Sequence, residues 1–182
     1  MTHKIDLETF KIIIDTVFDA KTPEALGSQV TRLITAGMEI KGCALFIVNP
    51  AREELEILAT EGLSAGYRKK GPIIVDKSIR LAPNREPVII ENTLTSKKLQ
   101  YQDKAIKEGI GAIVSLPVQS DGRLIGALRL YHFDTWAVSD EDLAYLQVLA
   151  KTLAMALKYF RLSAAVNATK EIMDEIHPVW LA

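Results

Sequence analysis

Between residues 112 and 131 two apolar runs meet at a single dipeptide, Asp121-Gly122, and no other stretch constrains the fold of this chain as tightly. Ala112-Ile113-Val114-Ser115-Leu116-Pro117-Val118 leads into Ser120-Asp121-Gly122-Arg123, and Leu124-Ile125-Gly126-Ala127-Leu128-Arg129-Leu130-Tyr131 follows. Asp-Gly between such runs predicts a hairpin closed by a type I′ turn, whose two central residues need positive φ. Pairing Ser120 with Arg123 sets Leu116 opposite Ala127 and Val114 opposite Arg129, with Ile113, Ser115, Leu124, Leu128 and Leu130 on the other face. Both faces are then largely apolar, which predicts a sheet covered on both sides.

The flanking elements follow from period and punctuation. Phe10, Ile13, Ile14, Val17 and Phe18 recur at helical spacing. Thr22-Pro23 supplies a cap and a first-turn proline for a second helix. Its stripe of Leu26, Val30, Leu33 and Ile34 fades at Gly37 or Gly42. Residues 43–48 read as a strand, Asn49-Pro50-Ala51-Arg52 as a turn, and 53–60 as an antiparallel partner with Leu55, Ile57 and Ala59 on one face. From Glu61 to Gly111 the chain is less regular, with Gly62, Gly66, Gly71, Pro72, Pro83 and Pro87 between short apolar runs. Ile73-Ile74-Val75 and Val88-Ile89-Ile90 read as brief strands, and Gln102 to Glu108 as a helix stopped by Gly109. A segment of this kind is a loose connection or a functional cover.

The closing helix begins at Ser139, which caps while Asp142 reaches back, and Asp140, Glu141 and Asp142 suit the positive end of its dipole. Leu143, Leu146, Ala150, Leu153, Leu157, Phe160 and Ala164 then occupy successive heptad core positions. Val148, Leu149, Ala154 and Ala156 widen the stripe, so that one side packs on the domain while another meets a partner. Continued to about Thr169, the helix is on the order of 45 Å long and projects past the domain. His177-Pro178 favours its end.

Composition removes several function classes. The chain has 182 residues, 48% hydrophobic and 25% charged, which fits one core with or without a helical arm. Its 22 basic and 23 acidic side chains leave no chain-wide field for nucleic acid or an anionic membrane. A single cysteine, Cys43, excludes an internal disulfide and a thiolate-rich zinc site. The charged start, Met1-Thr2-His3-Lys4-Ile5-Asp6, is unlike a signal peptide, and no apolar run approaches the ~20 residues that span a bilayer, so a cytoplasmic location is expected.

Two segments carry a family resemblance. Val114-Ser115-Leu116-Pro117-Val118 with Gly122-Arg123-Leu124-Ile125-Gly126-Ala127-Leu128 resembles the hairpin of GAF domains. Ser139-Asp140-Glu141-Asp142-Leu143 with Leu146, Leu149-Ala150 and Ala154-Met155-Ala156 resembles their final helix, although Trp136 or Val138 stands near the usual aromatic. The element order extends the resemblance from roughly Asp6 to Leu162. It implies an α+β fold with a central antiparallel sheet, terminal helices on one face, and a loop and short-helix layer over a small-molecule pocket on the other. Residues 1–165 would form this single domain and 166–182 a helix extension and tail. The resemblance also implies a homodimer through a bundle of terminal helices, here using Leu146, Leu153, Leu157 and Phe160 with Phe10 and Val17.

Arg129 stands out within this frame because it sits in Leu128-Arg129-Leu130, a strand covered on both faces. A buried guanidinium needs a carboxylate, carbonyls or an anionic ligand. Tyr131 and Val114 share its face in the register above, and Tyr101, Tyr67 and Arg80 approach from the irregular middle. Other chemistries find little support. Cys43 reads as a small buried hydrophobe, whereas GAF-type free-methionine-sulfoxide reductases need several cysteines and bilin-bearing relatives place theirs differently. His3, His132 and His177 have no metal-ligand spacing. The N-K…F-x-x-x-D-E signature of cyclic-nucleotide GAF domains is missing, as are nucleophile-elbow and triad patterns.

The expectation is a sensor that binds an unidentified small molecule, uses no catalysis, and signals through its dimeric helices to a separate output partner. Two alternatives stay open. One is a dimerisation scaffold whose pocket is filled by residues such as Tyr101 or Ile106; the other is a GAF-type redox enzyme. The ligand or cofactor itself is not legible.

Overall fold

The computed structural model describes residues 4–74 and 86–180; for residues 173–180 it describes the backbone alone. Two helices open the fold, α1 (Leu7–Asp19) and α2 (Pro23–Gly37). Each starts where a side chain can satisfy a free amide: Asp6 accepts from the Thr9 N–H at 2.6 Å and Thr22 from Ala25 at 3.1 Å. Strands β1 (Gly42–Asn49) and β2 (Glu54–Glu61) follow as an antiparallel pair. The irregular middle holds α3 (Ala65–Arg68), β3 (Ile73–Ile74), β4 (Val88–Ile90) and α4 (Gln102–Lys107). The hairpin β5 (Ala112–Ser120) and β6 (Arg123–His132) leads to the last helix, α5 (Asp140–Trp180).

The six strands form one antiparallel sheet in the order β3-β2-β1-β6-β5-β4. Helices α1, α2 and α5 cover one face, where Leu26, Val30, Ile34, Leu45, Leu128, Leu130, Leu146 and Leu153 are buried together. The other face carries a second cluster of Phe46, Tyr67, Ile73, Ala105, Ile113 and Tyr131 under the short elements of the middle. The α+β architecture with two covered sheet faces is the one expected. Gly126 marks where β6 lies tight against β1, since a Cβ there would collide with the Phe46 carbonyl.

The β5–β6 register differs from the expected one by a single residue. Asp121 and Gly122 take φ of 50° and 70°, as the type I′ turn demands, and Ser120 pairs with Arg123. A bulge between Val118 and Gln119 then shifts every later pair, so that Leu116 lies opposite Leu128, Val114 opposite Leu130 and Ser115 opposite Arg129. Val114 therefore turns away from Arg129 into the helix-side core, while Ile113 and Ser115 join the Arg129 face. A second bulge between Leu45 and Phe46 leaves Leu58 unpaired on β2 and packs it toward the helices.

The final helix also departs from expectation. It runs for 41 residues through Pro178, about 60 Å at 1.5 Å per residue, instead of ending there. Ser139 caps it by accepting from the Asp142 N–H at 3.1 Å. The buried Asp142 carboxylate accepts the N–H groups of Lys4 and Ile5 at 3.0 Å each, tying the incoming chain to the base of α5.

Candidate functional site

Arg129 is 6% exposed and faces the loop-covered side of the sheet. Its Nε donates to Ser115 Oγ at 3.3 Å, and its guanidinium lies 5.0 Å from the centre of the Phe46 ring. One residue pair along, Tyr131 is 1% exposed and meets the Tyr67 ring edge-on at 5.9 Å. Tyr67 enters from α3, whose first turn is closed by Ser64 accepting the Tyr67 N–H at 3.1 Å. Three positions later Lys70 lays its ammonium over the Tyr67 ring at 3.8 Å and donates to the Tyr67 carbonyl at 3.4 Å. Tyr101 closes the outer rim, donating from its hydroxyl to the Pro72 carbonyl at 2.9 Å and resting on Gly71, where a side chain would collide with it.

Arg129, Tyr131, Tyr67, Lys70 and Tyr101, with Gln100, Leu99, Ile73 and Ile113, line a void of about 20 Å³, room for about one water. Two cations, Arg129 and Lys70, line it, and no carboxylate does among the described residues. Two polar atoms in its wall, the Tyr131 hydroxyl and Gln100 Oε1, are buried without a hydrogen bond of good geometry. Burial pushes the Tyr131 phenol up to about 12 against the pull of the Arg129 charge. Burial, and then the same Arg129 charge, draws the Lys70 ammonium down to about 8. The site thus disfavours added positive charge and offers donors to an anion.

Of the residues assigned to the pocket from sequence, the structure brings Arg129, Tyr131, Tyr67 and Tyr101 together. Val114 is excluded by the bulge, and Arg80 lies outside the described residues. Ser115, Lys70 and Gln100 were not foreseen. Ser115 was hidden by the same register shift, while Lys70 and Gln100 come from separate loops and carry no local motif. Ile106 is 39% exposed and does not fill the pocket. Cys43 lies in the helix-side core, where burial pushes its thiol well above the ordinary range.

The helical side also needs correction. Leu146, Leu153, Leu157 and Val17 are buried in this chain's own core, so their side chains present nothing to a second copy. Phe10 is half-buried and stacks on Tyr145 at 4.8 Å; Phe160 is half-buried as well. A different set lies outward on α5: Val148, Met155, Tyr159, Leu162 and Val166, with Met155 at 72% and Tyr159 at 67% exposure. With Thr152 between the first two, they keep spacings of four and three, a second heptad stripe. Beside it, Val17, Phe18, Met155, Tyr159 and Phe160 line an open hollow of about 480 Å³.

The family model of the GAF domain matches residues 22–157. The chain belongs to the GAF domain family. The fold is that of the GAF domain of a phosphoenolpyruvate-protein phosphotransferase from Coxiella burnetii, with a TM-score of 0.78 at 22% identity over 87% of this chain and 96% of that one. The corresponding Acinetobacter domain gives a TM-score of 0.74 at 12% identity, covering 87% and 96%. Free methionine-R-sulfoxide reductase from Neisseria meningitidis, in complex with its substrate, gives 0.74 at 16% identity, covering 90% and 98%. At such identities the likeness extends to the fold. No curated protein matches the chain. GAF domains are sensory and regulatory modules, and no helix among this one's described residues is long and apolar enough to cross a membrane.

Proposed function

We propose that this GAF domain senses a small anion in the Arg129 pocket and transmits its state through a dimer of α5 helices, by binding and not by catalysis. The observation that carries the reading is that three donors, Arg129, Lys70 and the unpartnered Tyr131 hydroxyl, line one void that no carboxylate lines among the described residues. An anion of a few atoms replaces a water there, accepts from the Tyr131 hydroxyl and lies beside the charges of Arg129 and Lys70. The second heptad stripe supplies the surface for a second copy, since it repeats at coiled-coil spacing on a helix whose opposite stripe is already buried. A ligand that binds two packings of the sheet with different affinity shifts the helices between them.

The test uses sodium formate, acetate and nitrate at constant ionic strength. A small oxyanion raises the thermal midpoint of the wild-type protein, and Arg129→Gln abolishes the rise. Equal shifts in both proteins would remove Arg129 from the site. For the dimer, Met155→Glu with Leu162→Glu yields a folded monomer by sedimentation, because both side chains are exposed within the single chain. A folded dimer unchanged by the pair would sink the bundle.

A second reading is favoured by the size of the void. At about 20 Å³ the pocket is nearly filled by its own tyrosines, as in a GAF fold kept for dimerisation alone. Under that reading none of the three anions moves the midpoint, while the stripe substitutions still dissociate the protein.

A further inference from the structure

The void also contains a nucleophile. Lys70 Nζ is held between the Tyr67 ring and the Tyr67 carbonyl, and the amine is half-buried on the wall it shares with Arg129. Among the described residues, Glu108 at the end of α4 is the acidic group that acts on the amine, and its carboxylate is engaged by the Ser64 N–H at 2.8 Å and the Ser64 hydroxyl at 2.6 Å. Among the described residues, the other titratable groups around the amine are Tyr67 from α3, Tyr101 ahead of α4, and Arg129 and Tyr131 from β6. With its ammonium drawn down to about 8, Lys70 holds a sizeable free-amine fraction near neutral pH, where an exposed lysine holds almost none.

We propose that Lys70 is a carbon dioxide acceptor whose carbamate is held by Arg129. The neutral amine forms an N–C bond to the carbon of CO₂, one C=O electron pair moves onto oxygen, and the nitrogen releases a proton to solvent. One amine and one CO₂ thus give one carbamate anion and one proton, with no oxidation or reduction. The Arg129 charge acts on both sides of this equilibrium, disfavouring the ammonium and stabilising the carbamate. The Tyr131 hydroxyl has a proton to donate to a carbamate oxygen, and Gln100 Oε1 can accept from the carbamate N–H. The inference rests on the reading of this pocket as an anion site and names the source of the anion.

The experiment equilibrates the full chain with ¹³C-labelled bicarbonate and dissolved CO₂, traps carbamates with a trialkyloxonium ester, and locates them by peptide mass spectrometry. Lys69, exposed and adjacent, is the internal control. Lys70 is trapped at least about tenfold more than Lys69 at neutral pH, as its larger free-amine fraction requires. Trapping saturates with CO₂ and rises between pH 6 and pH 8. Arg129→Gln lowers it severalfold, and the near-isosteric Tyr131→Phe lowers it less while keeping the fold. Trapping at Lys70 no greater than at Lys69, or unaltered by both substitutions, overturns the proposal. If formate stabilises the protein through Arg129 while Lys70 stays unmodified, the covalent step fails and the anion site stands. If neither occurs, both readings fail.

Discussion

Leu130 and Tyr131 are neighbours on β6, both almost fully buried, and they belong to two differently built cores. Leu130 faces α1, α2 and α5 among leucines, isoleucines and valines that have no polar atom to satisfy. Tyr131 faces the loop-covered side, where an arginine, a lysine and a second tyrosine crowd a void and two polar atoms lack partners. Close packing of apolar groups stabilises without conditions, whereas a buried polar group costs free energy until something pairs with it. The helix side is therefore the part that holds the domain together. The other side bears a cost that its own packing leaves unmet at the Tyr131 hydroxyl and Gln100 Oε1.

The contrast can be broken most forcefully at Leu130. Leu130→Ala removes a fully buried side chain from the helix-side core and costs about 3 kcal/mol in urea unfolding. A loss below about 1 kcal/mol would mean that the two sides are packed alike. A smaller and pH-dependent effect is expected at Lys70. Its ammonium is drawn down to about 8 when folded, from an ordinary 10.5, so the charged form weighs against folding below about pH 8. Between pH 8 and 10.5 the unfolded chain binds more protons than the folded one, and stability rises with pH through that window. Lys70→Met is accordingly more stable than wild type at pH 7, by no more than about 1 kcal/mol given solvent screening, and the gap closes by pH 10.5. A gap constant with pH would show that the amine is not shielded from water. The smallest change belongs to Tyr131→Phe, which removes an unpartnered hydroxyl and leaves stability within about 1 kcal/mol of wild type or above it. A clear loss there would reveal a hydrogen bond worth keeping.

The two sides were also unequally legible in the sequence. Helical period and caps placed α1 and α2, and Asp121-Gly122 placed the turn with Ser120 opposite Arg123. Such signals are local, and the helix-side core follows from them because any correctly turned leucine can join it. The pocket depends on register, which two bulges altered, and Val114 was misassigned through one of them. It also depends on Lys70 and Gln100, thirty residues apart, meeting across a void whose shape no local pattern encodes. Arg129 was readable because a charge between two leucines violates the pattern of its strand. On α5, one long apolar surface concealed two stripes. Only the packed domain separates Leu153, used internally, from Met155, left outside.

The alternation along β6 sets the two cores one backbone apart. Arg129 hangs from one side of the strand while Leu128 and Leu130, attached through its two adjoining peptide units, form part of the seat of α5 on the other. Each peptide plane is stiff while φ and ψ at Arg129 are soft, so under the proposed function a ligand drawing on the arginine would act on the torsions that set the two leucines. For the proposed sensor, pocket and helix seat lie one backbone thickness apart, on the two sides of a single pleat.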